Sequence, residues 1–192
     1  MKSFIPVLLT TLLACSGCAT GPDVRVRDAG PRVVCFFGGG EWRFERMTHF
    51  IPGFLAFGGD GSISRWDLRE TVQQARAAGV KVIVSFDGQH WQENFLPMSD
   101  NDDGSRDRFI ANILDFCLEN GIDGVDYDWE IGGGFNAEQQ RLYSDLVIET
   151  KRAFGPHDLT VSIDAYFRDE IDARAIEAVD WIQLMAYRDM DE

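Results

Sequence analysis

The sequence predicts an α/β protein built from parallel β-α units. Apolar runs with the length of strands alternate with longer segments whose apolar residues recur every three or four positions. The third of these runs, Val80 to Phe86, is almost continuously apolar, which is typical of a parallel strand covered on both faces. Gly79, Gly121 and Gly155 each follow a helix-like segment, where glycine commonly ends a helix. These observations favour strands and helices in regular alternation.

The predicted elements follow one another closely after residue 31. In the first half they are a strand from Val33 to Phe37, a strand from Ile51 to Phe57, a helix from Leu68 to Ala78 that Asp67 caps, and a strand from Val80 to Phe86. After a polar loop from Asp87 to Gly104 come a helix capped by Ser105 and ended by Asn120 and Gly121, a strand from Ile122 to Trp129, a helix from Asn136 to Phe154, a strand from Leu159 to Tyr166, a short helix from Ile171 to Ala178 and a strand from Trp181 to Tyr187.

Two parallel architectures fit this alternation, an open doubly wound sheet and a closed (β/α)8 TIM barrel. The three glycines Gly38 to Gly40 do not form the G-x-G-x-x-G phosphate-binding pattern of the first. A barrel takes eight strands and about 250 residues, whereas the sequence supplies six strands within residues 31–192. We therefore expect a partial catalytic domain, a TIM barrel truncated after its sixth strand, with a smaller barrel closed by dimerisation as the alternative.

The first 20 residues have the features of a targeting segment outside the fold. A basic start precedes the apolar run Phe4 to Leu13, which is shorter than the roughly 20 residues that span a bilayer. The run ends in a segment that resembles a bacterial lipobox, with Cys15 or Cys18 as the residue to be lipidated. An ordinary cleaved secretory signal is the alternative. Both predict an extracytoplasmic protein with residues 21–30 as a linker, and the lipobox predicts membrane contact through the lipid anchor alone.

The charge balance argues against nucleic acid as a partner. Asp and Glu number 32 against 18 Lys and Arg, which gives a formal net charge of -14 at pH 7. A phosphate-binding surface needs clustered basic residues, and the sequence has no such cluster. A neutral or cationic polymer, such as an amino-sugar polysaccharide, suits this charge better.

The other cysteines and the histidines predict no metal site and no cofactor, because none has the spacing of metal ligands. Cys35 lies in a predicted strand and Cys117 on the apolar face of a predicted helix. Buried free thiols are therefore favoured over a disulfide. His49, His90 and His157 are scattered and are expected in loops or at the surface.

The strand from Ile122 to Trp129 carries the residues most suited to chemistry. Side chains alternate between the two faces of a strand. This alternation separates Val125, Tyr127 and Trp129 from Asp126, Asp128 and Glu130. The apolar set should pack against helices, and the acidic set should face the barrel interior. Carboxyls this close repel one another when charged, which raises the pKa of at least one of them, so that a proton is retained among the three. Glu130 comes last, where barrel enzymes keep their active sites, and suits a general acid.

Two other interpretations of these acids are weaker. A solvated edge strand would present them to water, but the D-G-x-D-x-D-W-E pattern behind an apolar Ile122 is too specific for that role. A metal site would use Asp126, Asp128 and Glu130, but metal ligands in barrels generally come from several strands, and no histidine is near.

The segment Asp123 to Glu130 resembles the D-G-x-D-x-D-x-E signature of glycoside hydrolase family 18, which contains chitinases and endo-β-N-acetylglucosaminidases. Gln183 to Tyr187 resembles the sixth-strand motif Q-x-M-x-Y-D of that family, Val82 to Gly88 its third-strand S-x-G-G motif, and Phe54 to Phe57 with Gly59 to Gly61 its second strand and loop. The resemblance extends from about residue 32 to the end of the chain.

The resemblance implies a retaining, substrate-assisted hydrolysis of β-1,4-linked N-acetylglucosamine, in which the acetamido oxygen of the substrate attacks the anomeric carbon. It implies that Glu130 protonates the leaving oxygen and then activates water, and that Asp128 hydrogen-bonds the acetamido N–H. Asp126 would share a proton with Asp128, and Tyr187 would hold the acetamido oxygen. The substrate would be chitin, a chito-oligosaccharide or the core of an N-glycan.

Five further residues are candidates for contact with the sugar. Gln183 and Met185 lie on the inward face of the sixth predicted strand, and Ser85 belongs to the third-strand motif. Trp42 and Trp91 follow the first and third predicted strands, where an aromatic ring could stack on a sugar. Packing of loops on the barrel rim explains these two tryptophans equally well.

Four residues, in three motifs, depart from the family pattern. Arg188 replaces the Asp after the sixth-strand Tyr, Asp87 replaces the first Gly of the third-strand motif, and Ile131 with Gly132 replaces a common Tyr-Pro. With the expected truncation, they leave a second interpretation open, a non-catalytic family member that binds amino-sugar glycans at the cell surface. Glu130 favours the enzyme, because family members that bind without cleaving usually lack this residue.

Overall fold

The computed structural model describes residues 30–37, 41–87, 92–129, 136–166 and 171–185. Several predicted functional residues lie outside these ranges, namely Cys15, Cys18, Trp91, Glu130, Tyr187 and Arg188. Within the ranges, the chain forms a seven-stranded sheet with helices packed on its outer face. No helix in this part of the chain combines the length and the apolar character needed to cross a bilayer.

Every pair of neighbouring strands in the sheet is parallel, as the alternation of strands and helices predicts. The strands are β1 (Val34–Phe36), β2 (His49–Ile51), β3 (Phe54–Leu55), β4 (Lys81–Asp87), β5 (Gly124–Asp128), β6 (Thr160–Ala165) and β7 (Trp181–Leu184). Their order is β1-β2-β4-β5-β6-β7, and β3 pairs with β4. The sheet curls into a partial barrel. The curvature is shown by β2 and β7: three strands lie between them in the sheet, yet the ring of His49 on β2 lies 5.0 Å from the ring of Trp181 on β7.

Helices cover the outer face of this curled sheet. They are α1 (Arg69–Ala77), α2 (Gln92–Ser99), α3 (Ser105–Asn120), α4 (Ala137–Phe154) and α5 (Ala173–Ala178). On β5, the Tyr127 hydroxyl lies 2.8 Å from Thr150 Oγ on α4. Just after β5, the Trp129 ring lies 4.6 Å from the Phe95 ring on α2. The apolar side chains of β5 therefore pack outward against helices, and the alternate side chains face the interior.

The strand predicted from Ile51 to Phe57 is wrong in its limits. The chain pairs earlier, in β2, and again in β3, with a break at Pro52 and Gly53. Proline has no N–H to donate to a neighbouring strand. Gly53 has a φ of 141°, a conformation that other residues rarely adopt. The fourth predicted strand is consequently β5 of the structure.

The polar loop predicted from Asp87 to Gly104 contains helix α2. Pro97 lies inside this helix and made the segment a poor helix candidate from sequence alone. The helix forms because Phe95 and Met98 lie in the common core, where they are 1% and 0% exposed. Tertiary packing therefore overrides the local signal.

Ser105 and His49 differ from the sequence prediction. Ser105 does not cap α3, since its hydroxyl donates to the carbonyl oxygens of Pro97 and Met98, each at 2.9 Å. Gly104 occupies the cap position with a φ of 78°. His49 is buried in β2 rather than exposed in a loop.

Cys35 and Cys117 are free thiols, which is the alternative that the sequence favours. Cys117 is fully buried, whereas Cys35 is only partly buried.

Candidate active site

Asp126 lies at the centre of the site, on β5 and without exposed surface. Parallel pairing sets it beside Ser85 on β4 and Ser162 on β6. The Ser85 hydroxyl donates to its Oδ2 at 2.9 Å, and the Ser162 hydroxyl donates to its Oδ1 at 2.6 Å. Gln183 on β7 donates from Nε2 to Oδ1 at 3.0 Å. Side chains from three other strands therefore hold this carboxylate.

These donors offset only part of the cost of burying a carboxylate. Burial raises the pKa of Asp126 and is the largest influence on it. Hydrogen bonds from Ser162, Ser85, Asp164 and Gln183 lower it, because they stabilise the charged form. The net effect leaves the pKa above its ordinary value of 3.8. A proton is therefore held more tightly here than on an exposed aspartate.

A cavity of about 420 Å³ lies beside this carboxylate, at the carboxyl ends of the strands. It is lined by Phe36, Phe54, Asp128, Asp164, Gln183, Leu184 and Met185. Its volume is within the roughly 300–1,000 Å³ of small-molecule sites. The carboxyl ends of the strands are also where parallel barrels hold their active sites.

The structure brings five of the predicted site residues together: Asp128, Gln183 and Met185 line this cavity, and hydrogen bonds join Gln183 to Asp126 and Asp126 to Ser85. Ser85 has no exposed surface and directs its hydroxyl at Asp126. It therefore positions a carboxylate instead of lining the space open to a sugar. Gln183 does both, since it lines the cavity and donates to Asp126.

Trp42 is half-exposed and belongs to a cluster of aromatic rings. Its ring lies 5.0 Å from Phe50, 5.6 Å from Phe37 and 6.0 Å from Phe44. Packing on the rim accounts for its buried side, while 37% of the residue stays exposed. Its contact with a sugar stays a prediction.

Ser162 and Asp164 on β6 are site residues that the sequence analysis does not single out. Ser162 has no exposed surface, and Asp164 is 5% exposed. Asp164 lines the cavity together with Asp128 and Gln183. A signal for both was present, because two polar residues at alternate positions in a buried strand indicate one polar face.

The acids of the described ranges are not arranged as metal ligands. Among these residues, no group of three or more His, Cys, Asp or Glu side chains could hold a metal ion. Asp126 instead accepts hydrogen bonds from two hydroxyls and an amide.

The sequence of the chain is similar to those of known proteins. The family model for glycosyl hydrolases family 18 matches residues 32–192. Probable chitinase 10 of Drosophila melanogaster is 28% identical over 195 residues, which cover 81% of this chain and 8% of that protein. Secreted chitinase LysM12 of Penicillium expansum is 28% identical over 164 residues, which cover 74% of this chain and 11% of that protein. The chain thus spans a small part of the length of either relative.

The fold is also similar to those of solved structures. The crystal structure of a chitinase from Rhizomucor miehei matches with a TM-score of 0.68 at 21% identity, over 84% of this chain and 58% of that one. At this identity the likeness shows the fold, and it confirms the (β/α)8 barrel class that the sequence predicts.

Proposed function

The chain belongs to glycoside hydrolase family 18, and from this membership we propose that it hydrolyses β-1,4-linked N-acetylglucosamine glycosides, with chitin and chito-oligosaccharides as substrates. The observation that supports this most directly is the buried Asp126, which accepts hydrogen bonds from three donors on other strands. Asp126 lies on the same strand as Asp128, which lines the cavity. Two similar proteins are named as chitinases. The core of an N-glycan contains the same linkage and is a further candidate substrate.

The proposed reaction retains configuration and uses the substrate as its own nucleophile. The acetamido carbonyl oxygen bonds to the anomeric carbon while the bond to the leaving oxygen breaks, and Glu130 gives that oxygen its proton. Asp128 accepts a hydrogen bond from the acetamido N–H and stabilises the positive oxazolinium ring, while Tyr187 holds the acetamido oxygen. Water then attacks the anomeric carbon and transfers a proton to Glu130, while the bond from that carbon to the acetamido oxygen breaks and the acetamido group is restored. Glu130 and Tyr187 enter through the family motifs, as they lie outside the described residues.

We further propose that the protein works outside the cytoplasm. The N-terminal segment with Cys15 or Cys18 supports this, and one relative is named as secreted. Mass spectrometry of the protein purified from membranes should find a lipid on one of the two cysteines. An unmodified N-terminus still bearing Met1 would contradict export through this segment.

Replacement of Glu130 by glutamine tests the proposed activity. Loss of a general acid lowers turnover by about 10²–10⁴-fold, so Glu130→Gln should release almost no product from a chromogenic chitobioside. Its affinity for a chito-oligosaccharide, measured by calorimetry, should remain close to that of the wild type. Glu138→Gln is the matched control, because Glu138 is an exposed acid in the first turn of α4. Equal turnover in Glu130→Gln would remove the role of Glu130, and binding without product in the wild type would favour a non-catalytic glycan-binding protein.

A further inference from the structure

Asp128 has an acid level with it on each neighbouring strand. The register of β4 with β5 pairs Asp87 with Asp128. The register of β5 with β6 pairs Tyr127 with Ile163, so Asp164 is the next position on β6 and lies level with Asp128. Neighbouring strands are only about 4.8 Å apart. Three adjacent strands therefore carry one acid each at the same level, near their carboxyl ends.

Asp164 faces the cavity and not the helices. It follows Ser162 by two residues, so both side chains lie on the face of β6 from which Ser162 donates to Asp126. Asp164 is 5% exposed and lines the cavity together with Asp128 and Gln183. The proposed reaction uses Asp128 but gives Asp164 no role. Asp164 is consequently a second carboxyl beside the space in which Asp128 would meet the acetamido group.

The cavity has an apolar side and an acidic side. Phe36 on β1 and Phe54 on β3 form the apolar side, with ring centroids 6.0 Å apart. The polar groups of the lining are Asp128, Asp164 and the Gln183 amide, which comes from β7. Among the described residues that line the cavity, two are acids and none is a base. A positive charge in this space is therefore favoured over a neutral group or an anion.

The charge of the bound sugar changes during the proposed reaction. The N-acetylated substrate is neutral, whereas the oxazolinium ring is positive. A carboxylate beside this ring stabilises the charged state more than the neutral one, and only such a difference raises turnover. The attraction is stronger at a buried wall than in water, because the local dielectric constant is lower. Neighbouring carboxylates also repel one another, and a positive charge beside them relieves that repulsion.

We propose that Asp164 is a specificity-determining residue that makes the cavity favour a positive charge at the position of the acetamido group. This inference deepens the proposed function and rests on it. The ligands that follow are sugars with a cation at that position. One is the oxazolinium formed during the reaction. Another is the protonated glucosamine unit of a deacetylated chito-oligosaccharide, which has no acetamido oxygen to attack the anomeric carbon and should therefore bind as an inhibitor.

Calorimetry with two oligosaccharides of equal length measures this preference. One is N-acetylated and neutral, and the other is fully deacetylated, at a pH that protonates its amines. Near-physiological ionic strength screens distant surface charges. Asp164→Asn keeps the shape of the side chain and removes its charge. It should weaken binding of the deacetylated oligosaccharide by about 10- to 100-fold and change binding of the N-acetylated one by less than about threefold.

Asp115→Asn is the control for net charge. Asp115 is exposed on α3, and its replacement removes the same formal charge, so both affinities should stay close to those of the wild type. Asp164→Glu and Asp164→Gln form a second pair, equal in size, of which only Asp164→Glu should keep the preference. This pair decides if Asp164→Asn does not fold. Equal changes for both ligands in Asp164→Asn, or equal behaviour of Asp164→Asn and Asp115→Asn, would overturn the proposal.

Hydrolysis of an N-acetylated chito-oligosaccharide tests the same charge during the reaction. Because the substrate becomes positive only as the oxazolinium forms, Asp164→Asn should lower kcat by about 10- to 100-fold and change KM by less than about threefold. A higher KM with unchanged kcat would overturn this role. A wild type that shows the charge preference but releases no product would contradict the proposed function alone. Turnover that Asp164→Asn leaves unchanged, with both affinities unchanged, would contradict this inference alone. If neither oligosaccharide binds, both are wrong.

Discussion

Replacement of Gly124 by alanine tests the packing that places the buried carboxyls. Gly124 begins β5 and pairs with Thr160 at the start of β6. A Cβ atom at this position would lie 2.3 Å from the carbonyl oxygen of Thr160 and 2.7 Å from its Cβ. Both distances are far shorter than the roughly 3.5 Å of an ordinary contact. Since the carbonyl belongs to a backbone fixed by strand pairing, no side-chain rotation relieves the clash.

The two strands would have to separate by about 1 Å to accept the added methyl group. Overpacking of this kind costs about 1–3 kcal/mol, and the need to move backbone places Gly124→Ala near the upper end. The same separation would lengthen the 2.6 Å hydrogen bond between Ser162 and Asp126. A shift of about 1 Å in a catalytic group lowers turnover by about 100-fold. We therefore expect Gly124→Ala to lose both stability and activity.

Urea unfolding followed by circular dichroism measures the loss of stability, with Gly155→Ala as the matched control. Gly155 has a φ of −51°, and a Cβ added there would meet nothing within 4 Å. Its replacement should change the free energy of unfolding by less than about 0.5 kcal/mol or raise it slightly. Equal stability of the two variants, or wild-type turnover in Gly124→Ala, would refute the argument that contact between β5 and β6 sets the site.

Two further predictions concern buried side chains near the sheet. Burial, and then the charge of Asp123, raises the pKa of the Cys117 thiol from 9.0 to about 12. The unfolded chain therefore loses this proton at lower pH than the folded protein. The contribution of the protonated thiol to the free energy of unfolding is complete below about pH 9. It then falls by about 1.4 kcal/mol per pH unit up to about pH 12. The denaturant midpoints of the wild type and Cys117→Ala should converge over that range, and a constant difference would contradict the argument. Thr150 donates to the Leu146 carbonyl at 2.7 Å and so accepts from the Tyr127 hydroxyl at 2.8 Å. Thr150→Val should lower the free energy of unfolding by about 1–3 kcal/mol, because it leaves the buried Tyr127 hydroxyl without an acceptor. Tyr127→Phe should lower it by only about 1 kcal/mol. The opposite order of these losses in urea unfolding would contradict this direction of donation.

The two faces of β5 could be predicted because their signal is local. Alternation alone separates Tyr127 and Trp129 from Asp126, and the structure packs the first two against α4 and α2 while Asp126 faces three other strands. The carboxyl ends of the strands follow from the order of strands and helices in the same way. The location of the cavity beside Asp128 could therefore be predicted from the sequence.

The features that could not be predicted depend on distant contacts. Helix α2 forms around Pro97 because Phe95 packs on Trp129, which a window of neighbouring residues does not contain. His49 is buried against Trp181 because the sheet curls and brings β2 close to β7. Alternation assigns Ser162 and Asp164 to one face of their strand, but the register that pairs Ser162 with Asp126 depends on contacts across the sheet.

The donors of Asp126 come from positions 41, 36 and 57 residues away along the chain. Contacts between such distant residues form slowly during folding, because each one closes a long loop at a cost in chain entropy. A collapsed intermediate in which β7 has not yet docked would bury this acid without the Gln183 amide. Docking of β7 therefore places the Gln183 donor beside Asp126, and molecules in which β7 is not docked lack this contact. Turnover during refolding should consequently appear with the slowest phase and not with the initial gain of helix.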